Sequence, residues 1–266
     1  MEKLNLLVVE GNLQKENDNF RNNGIQTHAE SLKDSLGYYA KDLNIDVFNP
    51  CSEKTFDKIL PKLKKYDGLI WGGSSLNIYN DCIEIRRQIS FMNECFKNIK
   101  KILAICWGMQ VAVTAAGGEV KKATKGAHIG IANDIEINQN GLNHQLYRSK
   151  NKKFNSPAFN FDEVVKLPEG AIHLASNKIN NVQSLIFKKG ISDVWGLQYH
   201  PEITYDKMIT LINFRKDRLI NVRKCFRDDH EIQKHISFIE EEIKISEKET
   251  RMVELKNWLN YLKSAA

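Results

Sequence analysis

The first half of the chain alternates between short apolar runs and segments whose apolar residues recur at helical spacing. Short continuous apolar runs are typical of strands buried on both faces, whereas apolar residues three and four positions apart indicate one face of a helix. The alternation predicts a doubly wound α/β fold, in which helices cover both faces of a parallel sheet. The predicted elements are a strand at 4–9, a helix at 31–43, a strand at 45–48, a helix at 56–63, a strand at 68–71, a helix at 83–96 and a strand at 102–105.

Beyond this point the pattern changes to shorter strand-like segments that are separated by Gly, Asn and Pro turns. This change predicts an antiparallel layer that either packs beside the parallel sheet or extends it. The segments are 129–137, 164–167, 171–176, 182–187 and 194–199.

After about residue 215 the pattern is wholly helical. One apolar stripe is formed by Ile232, Ile236, Ile239 and Ile243. A similar stripe continues over residues 252–262. We expect these helices either to pack back on the core or to form an arm that contacts a second protomer or a partner. The predicted division is a domain at residues 1–215 and a helical C-terminal extension at residues 216–266.

Charge and cysteine content narrow the class of protein. The 39 Lys and Arg residues exceed the 33 Asp and Glu residues, but they are scattered and do not form one basic stripe, which argues against nucleic acid binding. No apolar run approaches the ~20 residues that span a bilayer, and the N-terminus lacks a signal-peptide cleavage site. The five cysteines are an odd number without a CxxC pair, which predicts free thiols in a cytoplasmic protein.

Cys106 lies where a predicted buried strand meets a helix that starts at about Trp107. A nucleophile on such a turn is lifted out of the sheet, and the N–H groups of the following helix favour a thiolate over a thiol. Ala104 and Gly108 supply the small neighbours that a sharp turn needs. Because a buried Cys at a strand end is also compatible with simple packing, a catalytic role depends on partners elsewhere in the chain.

His200 follows a predicted strand, and Glu202 lies two positions further on. Residues i and i+2 of extended backbone project to the same side, so the carboxylate can hold one imidazole nitrogen and leave the other for a thiol proton. The same His-Pro-Glu sequence is compatible with a capped turn that opens a helix at Tyr205. Together, Cys106 and His200 in these two contexts predict a cysteine-based catalytic triad.

The predicted strand at 68–71 ends in Gly72 and Gly73, which allow the backbone to turn an N–H group toward a ligand. Acyl transfer through a thioester needs two donors aimed at the developing oxyanion. We assign this role to the backbone N–H groups of Gly73 and Trp107, with a plain glycine turn as the alternative.

Three segments in this order resemble class I glutamine amidotransferases. They are Gly72-Gly73, Cys106-Trp107-Gly108-Met109-Gln110 and Gln198-Tyr199-His200-Pro201-Glu202. The resemblance covers about residues 4–215 and is closest to the branch similar to the glutaminase domain of GMP synthase and to γ-glutamyl peptidases. It implies a flavodoxin-like sheet and a triad of Cys106, His200 and Glu202 that attacks the γ-amide of glutamine. Ammonia then leaves, and the γ-glutamyl thioester is hydrolysed to glutamate.

The resemblance also implies two substrate contacts. Gln110 matches the residue that helps to hold the amino acid end of the substrate, and Asp162 matches the acidic residue of an Asp-x-Val segment. Three positions depart from the family pattern. Asn160 stands where relatives often have His, and Ala104 replaces the usual Gly two positions before the nucleophile. The glycine loop continues with Ser74 instead of Gly-Pro, which argues against GMP synthase activity itself.

The leading hypothesis is an enzyme that hydrolyses the γ-amide of glutamine through a γ-glutamyl thioester and releases ammonia for a separate acceptor enzyme. The first alternative is a stand-alone hydrolase of γ-glutamyl peptides or amides, because no synthetase domain is fused to this chain. The second alternative is a non-catalytic regulatory or binding subunit that uses the helical region as an interface. A chain of 266 residues is too short to hold both this glutaminase and an ATP-using synthetase.

No cofactor is expected, because the sequence lacks a phosphate loop of the GK[ST] type. No metal site is expected either, since His128, His144 and His173 share no ligand spacing. Three further histidines lie in surface-like segments and receive no role: His28, His230 and His235. The expected partner is a small glutamine or γ-glutamyl substrate, while a separate synthetase or acceptor chain and a second copy of this chain stay open. Neither nucleic acid nor a membrane is expected as a partner.

Overall fold

The computed structural model describes residues 3–264. Within this range the chain forms a nine-stranded mixed sheet, flanking helices and two small two-stranded sheets. The strands and α-helices are β1 (Leu4–Val9), α1 (Gln14–Asn22), α2 (His28–Tyr39), β2 (Leu43–Phe48), β3 (Gly68–Trp71), α3 (Ile83–Asn98), β4 (Lys101–Ile105), α4 (Trp107–Ala115), β5 (Glu119–Lys122), β6 (His128–Ile129), β7 (Ala132–Ile137), α5 (Gln139–Leu142), β8 (Lys153–Ser156), β9 (Phe159–Asn160), β10 (Asp162–Lys166), β11 (Ile172–Ser176), β12 (Ser184–Lys189), β13 (Ser192–Leu197), α6 (Tyr205–Phe214), α7 (Asp229–Ile245), α8 (Lys248–Arg251) and α9 (Val253–Lys263).

The parallel half of the large sheet has the strand order β2-β1-β3-β4-β13, which is the doubly wound order of flavodoxin-like folds. Successive side chains of a strand point to opposite faces. Along β1, Leu6 and Val8 therefore join one buried cluster, whereas Leu7 and Val9 join the other. Helix α2 covers the first face, and α3 and α4 cover the second. The predicted fold class is confirmed.

Beyond β13 the same sheet continues with antiparallel strands in the order β12-β11-β7-β8. The antiparallel layer thus extends the parallel sheet, which is one of the two expected arrangements. Strand β13 joins the two halves because it pairs in parallel with β4 and antiparallel with β12. The carboxyl ends of β4 and β13 consequently lie side by side, with Leu197 opposite Ile105.

The helix expected at 31–43 has different ends. Thr27 and Glu30 form a capping box that starts α2 at His28. The helix cannot reach Leu43, because that residue is the first of β2.

Two other segments also differ from expectation. The helix expected at 56–63 is a 3-10 helix at Leu60–Lys65 with Pro61 in its first turn. Helix α1 was missed because it buries only Asn17 and Phe20, so its sequence shows no apolar stripe.

The C-terminal helices pack on the core in two places. Helix α7 contributes Ile232, Ile236 and Ile239 to an apolar cluster that it shares with α6. Helix α9 lies on the large sheet, where a Cβ atom on Gly68 would come within 2.8 Å of the Trp258 ring. Both helices therefore bury their stripes on this chain, while the division at residue 215 stays a prediction. No helix within the described range is long and apolar enough to cross a bilayer.

Candidate active site

Cys106 occupies a sharp turn between β4 and α4. Its backbone has a φ of 53° and a ψ of −103°, a conformation that non-glycine residues adopt only with strain. The Cys106 N–H donates to Leu197 O at 2.6 Å and ties the turn to the end of β13. Gly108 is required here because a Cβ atom would lie 2.4 Å from Trp71 O. The candidate nucleophile is thus held at the N-terminus of α4, where backbone N–H groups lack helical partners.

His200 lies beside Cys106 and is held by Glu202. The His200 Nδ1 and Glu202 Oε1 atoms are 2.7 Å apart, which leaves the other ring nitrogen for Cys106, whose sulfur accepts a hydrogen bond from Gln198 Nε2 at 3.5 Å. Burial disfavours a charge on this imidazole, but the Glu202 carboxylate and the Cys106 sulfur outweigh burial and raise the pKa of His200 to about 10. The three buried side chains therefore stand in the order that proton transfer from Cys106 requires.

The His-Pro-Glu turn is held from the C-terminal region. The largely buried Arg251 donates from Nη1 to the carbonyl oxygens of Pro201 and Ile203, the latter at 2.7 Å. On another side, Ser35 Oγ donates to Glu202 O at 2.8 Å. Three backbone carbonyls of the turn thus have buried side-chain donors, which restrains the two side chains that it carries.

A second set of contacts involves Tyr199, the residue that precedes His200. The Tyr199 hydroxyl donates to Glu254 Oε1 at 2.7 Å, and Glu254 forms an ion pair with Lys150 at 3.1 Å. Lys150 Nζ also donates to Thr250 O at 2.8 Å. Because a buried charge is tolerated only when it is paired, this network fixes α8 and α9 against the strand that leads into the turn.

His28 received no role from its position in the sequence, yet it contacts the site. Its ring stacks on His200 with the ring centroids 5.5 Å apart and the planes at 18°. Burial, followed by the charges of His200 and Arg215, lowers the pKa of His28 to about 3, so the ring is neutral near pH 7. A Cβ atom on Gly73 would lie 2.5 Å from His28 Cε1, which explains the glycine there. The capping signal at Thr27 was the only sequence feature that could have located His28 at a helix start.

The two candidate oxyanion donors lie on the loop after β3 and at the start of α4. The loop after β3 is tied to α4 by a hydrogen bond from Gly108 N–H to Gly72 O at 3.2 Å. Within residues 3–264, the backbone N–H groups of Gly73 and Trp107 donate to no protein acceptor. Unpaired N–H groups beside a nucleophile are what an oxyanion requires. Their role as donors stays a prediction.

Gln110 and Asp162 both line a small pocket at Cys106. Asp162 accepts hydrogen bonds from Asn77 Nδ2 at 2.8 Å and from the Tyr79 hydroxyl at 2.9 Å. Burial raises the pKa of the Asp162 carboxyl, although these two donors oppose the rise. The structure thus brings both predicted contact residues to the candidate nucleophile, and their binding role stays a prediction.

Asn160, at the position where relatives often have His, also lines this pocket. Its Oδ1 atom lies 2.9 Å from His128 Nδ1, and its Nδ2 donates to Asp162 O at 2.9 Å. The Asn160 amide is therefore engaged within the protein and supports the loop that carries Asp162.

Three arginines that the sequence patterns did not indicate line the same pocket: Arg215, Arg218 and Arg223. Arg215 Nη2 pairs with Glu16 Oε1 at 2.8 Å, and the Arg223 guanidinium lies 4.5 Å from the centre of the Phe161 ring. Two of the three arginines belong to the region that was assigned to a helical extension. Their only signal in the sequence was the density of basic residues over 215–224.

One group of side chains within residues 3–264 is close enough to share a metal ion. It consists of His28, His200 and Glu202, whose ligand atoms lie within 4.8 Å of one another. The hydrogen bond between His200 and Glu202 holds a proton that a metal would have to displace. An ion here would also occupy the atoms that the predicted triad uses, and the role of this group in proton transfer stays a prediction.

A family model described as glutamine amidotransferase class-I matches residues 24–216. The match includes the Gly72-Gly73 loop, the turn at Cys106 and the His-Pro-Glu turn. The chain therefore belongs to the class I glutamine amidotransferase family. It is an enzyme of the glutamine amidotransferase or amidohydrolase type, which leaves the non-catalytic alternative without support.

The similar proteins are named either as hydrolases and peptidases of γ-glutamyl compounds or as GMP synthase subunits. The chain is 33% identical over 207 residues to a γ-glutamyl-L-1-hydroxyisopropylamide hydrolase of Pseudomonas sp, covering 77% of this chain and 69% of that one. It is 30% identical to γ-glutamyl peptidase 3 of Arabidopsis thaliana, over 60% of this chain and 63% of the peptidase. It is also 32% identical to a glutamine-hydrolyzing GMP synthase subunit of Methanosarcina acetivorans, over 53% of this chain and 67% of that one.

The solved structures support the fold. A glutamine amidotransferase from Thermotoga maritima superposes with a TM-score of 0.67 over 98% of this chain and 99% of that one, at 17% sequence identity. At this identity the likeness concerns the architecture alone, and it includes the C-terminal helical region.

Proposed function

We propose that this enzyme hydrolyses γ-glutamyl amide bonds through a thioester on Cys106. The observation that carries the proposal is the buried arrangement of Cys106, His200 and Glu202 at the carboxyl ends of two adjacent parallel strands. In the proposed reaction His200 accepts the proton of the Cys106 thiol, and the raised pKa of His200 favours the imidazolium form that results.

The reaction has two halves. The Cys106 sulfur attacks the γ-carbonyl carbon, and the N–H groups of Gly73 and Trp107 stabilise the oxyanion that forms. The carbon–nitrogen bond then breaks, and the leaving amine takes the proton from His200. Next, His200 removes a proton from water, whose oxygen attacks the thioester carbon. Cleavage of the carbon–sulfur bond releases the acid and returns the thiolate beside a protonated His200.

Glutamine is the smallest substrate that this mechanism accommodates, and its hydrolysis releases ammonia and glutamate. The relatives named as glutamine-hydrolyzing GMP synthase subunits favour this substrate. The ammonia would then pass to a separate acceptor enzyme. We further propose a cytoplasmic location, where a reducing environment keeps the five cysteines free of disulfide bonds.

A stand-alone γ-glutamyl amide or peptide hydrolase is the second candidate. It is favoured by the Pseudomonas relative, whose similarity extends over 77% of this chain. Comparison of kcat/KM for glutamine and for a γ-glutamyl alkylamide separates the two candidates. A higher value for glutamine, or activation by a co-purifying synthetase, supports the first, and a higher value for the alkylamide supports the second.

Replacement of Cys106 by Ala tests the shared mechanism. We expect glutamate release to fall by a factor of ~10³ or more, because no nucleophile remains. Cys82→Ala is the matched control, since Cys82 is a half-exposed thiol that lines no part of the Cys106 pocket. Intact mass after treatment with a glutamine-like electrophile should show one adduct in the native protein and in Cys82→Ala, and none in Cys106→Ala. Unchanged turnover in Cys106→Ala would refute the proposal.

A further inference from the structure

A large cavity opens next to the Cys106 pocket. Its volume is about 940 Å³, which lies within the range of sites for small organic ligands. We call this cavity the basic cleft and define it by its five basic side chains: Lys122, Lys178, Arg218, Arg223 and Lys224.

The positive charge of the basic cleft exceeds the negative charge around it, although the Asp162 carboxylate in the adjoining pocket interacts with the charges of Arg223 and Lys122. Within residues 3–264, none of its five basic side chains forms a salt bridge. Asp134 is the carboxylate among the lining residues, and it pairs with Lys153 at 2.9 Å. Like charges on a concave wall focus a positive potential in the enclosed space. The basic cleft therefore attracts anions.

The remaining lining suits an organic molecule better than a bare ion. The cleft has apolar side chains between its charges, among them Ile131, Phe161 and Phe226. The Arg223 guanidinium lies over the Phe161 ring and donates from Nη2 to Asn77 Oδ1 at 3.4 Å, and these two contacts restrict its orientation while using one of its five N–H donors. A planar guanidinium held in this way can bind a carboxylate with two parallel hydrogen bonds.

The basic cleft adjoins the Cys106 pocket, because Phe161, Arg218 and Arg223 line both. Arg215 is different, since it faces only the Cys106 pocket and is already paired with Glu16. A ligand in the basic cleft therefore contacts the same two arginines, Arg218 and Arg223, as a ligand in the Cys106 pocket.

We propose that the basic cleft binds a carboxylate that the γ-glutamyl substrate carries beyond its glutamyl unit. The substrate class is then an anionic γ-glutamyl conjugate. This inference rests on the proposed function, because it assumes that the glutamyl unit is bound at Cys106. Arg218 and Arg223 supply charged donors that line both the basic cleft and the Cys106 pocket.

Two kinds of conjugate present the same chemistry, and matched substrates distinguish them. In γ-glutamyl-glutamate the additional carboxylates lie on the amine that leaves. In glutamine whose α-nitrogen is acylated by one carboxyl group of succinate, the additional carboxylate lies on the acyl side, and the side-chain amide is the only γ-glutamyl bond. His200, which protonates the leaving amine, lines neither cavity, whereas Asp162, the predicted contact of the glutamyl unit, lines the Cys106 pocket together with Arg218 and Arg223. The geometry therefore favours the acyl-side conjugate.

The test compares these substrates with a neutral γ-glutamyl alkylamide and with glutamine. We expect kcat/KM for the acyl-side conjugate to exceed that of N-acetylglutamine, its counterpart without the additional carboxylate, at least about tenfold, since a charge-assisted contact is worth about that factor. The ratio of kcat/KM for the anionic conjugate to kcat/KM for this counterpart should fall about tenfold in Arg218→Gln/Arg223→Gln. It should be partly retained in Arg218→Lys/Arg223→Lys. Added salt should lower the ratio in the native enzyme.

A charge-matched control uses Arg86→Gln/Lys97→Gln on α3, which removes two basic residues that line neither cavity. This variant should keep the native ratio. Equal ratios in the native enzyme and in Arg218→Gln/Arg223→Gln would overturn the inference, as would the absence of any preference for a charged conjugate.

A binding measurement separates this inference from the proposed function. The Cys106→Ala variant is titrated with each anionic conjugate by calorimetry, with and without the two arginine substitutions. Binding that weakens about tenfold when the arginines are replaced supports the basic cleft even if the native enzyme cleaves no γ-glutamyl bond. Cleavage of neutral substrates without arginine-dependent binding of the conjugates refutes the basic cleft and leaves the proposed function standing.

Discussion

The two sides of the Cys106 pocket are built from different kinds of structure. On one side, Cys106 and the His-Pro-Glu turn follow adjacent parallel strands, and hydrogen bonds fix both turns. On the other side, Arg218 and Arg223 lie on an irregular segment that contains a π-helical turn at Arg218–Val222. Reacting groups are thus placed by the rigid sheet, whereas the groups proposed to select a substrate lie on a segment that can vary without moving the triad.

The largest expected effect is a loss of kcat after a substitution at Glu202, on the side of the pocket that carries the reacting groups. Glu202→Gln should lower kcat on the order of 10³-fold and leave KM nearly unchanged. The Gln amide would donate to His200 Nδ1, where the carboxylate now accepts, and would force the proton onto the nitrogen that faces Cys106. Steady-state kinetics on a γ-glutamyl amide measure both parameters.

Glu242→Gln is the matched control, because Glu242 is a partly buried carboxylate that accepts one hydrogen bond from Asn155 far from the triad. It should retain the native kcat. A rise in KM without a change in kcat in Glu202→Gln would contradict the assignment of Glu202 to the reacting side.

A smaller effect should show that the C-terminal region also supports the side of the pocket that carries the reacting groups. Arg251 lies in the C-terminal region, yet it holds the turn of the catalytic histidine. Arg251→Met should lower kcat about tenfold, because a slight displacement of a catalytic group is costly, with little change in KM. Arg251→Lys should recover part of the loss by donating to one of the two carbonyls.

Asn257→Ala provides the comparison for this residue. Asn257 donates from α9 to Leu146 O at 2.9 Å and to Arg148 O at 2.8 Å, but not to the turn. Its replacement should lower the free energy of unfolding and leave kcat intact. Equal loss of kcat in both variants would mean that Arg251 acts only through general stability.

The smallest expected effect concerns pH. The pKa of His28 is about 3 in the folded protein and about 6.5 when unfolded, so protonation favours the unfolded state. The contribution of His28 to the free energy of unfolding should therefore fall as the pH drops below about 6.5, by about 2 kcal/mol at pH 5. His28→Phe keeps an aromatic ring and removes this loss, which urea denaturation at pH 7 and pH 5 measures.

Phe20→Leu is the appropriate comparison because Phe20 packs near the His28 ring but does not titrate. It should lower stability by the same amount at both pH values. If the native protein and His28→Phe lose equal stability at pH 5, His28 is not the group that makes the site sensitive to acid.

The parts of the site that could be predicted from sequence are those whose local context defines their geometry. Cys106 follows an apolar strand and precedes a helix, and Glu202 is two residues from His200, so short-range rules place each of them. Parallel strand ends gather at one edge of the sheet, which brings these segments together once the fold class is known. The predicted strand at 68–71 is likewise found at β3.

The parts that could not be predicted depend on contacts between distant segments. His28 stacks on His200 only because α2 packs on the sheet next to the glycine loop. Arg223 reaches the Cys106 pocket through the path of an irregular turn, for which hydrophobic periodicity carries no signal. Charge density alone does not show which lysines and arginines face a cavity.

The position of α9 has a consequence for the order in which the protein can fold. Lys101, at the start of the strand that leads to Cys106, donates to Tyr261 O across 160 positions of the chain. The ribosome therefore completes all three triad residues well before the helix that covers the sheet beside Gly68 has been made. Until then an apolar sheet face is open to solvent, which makes the nascent chain prone to aggregation and a natural client for chaperones.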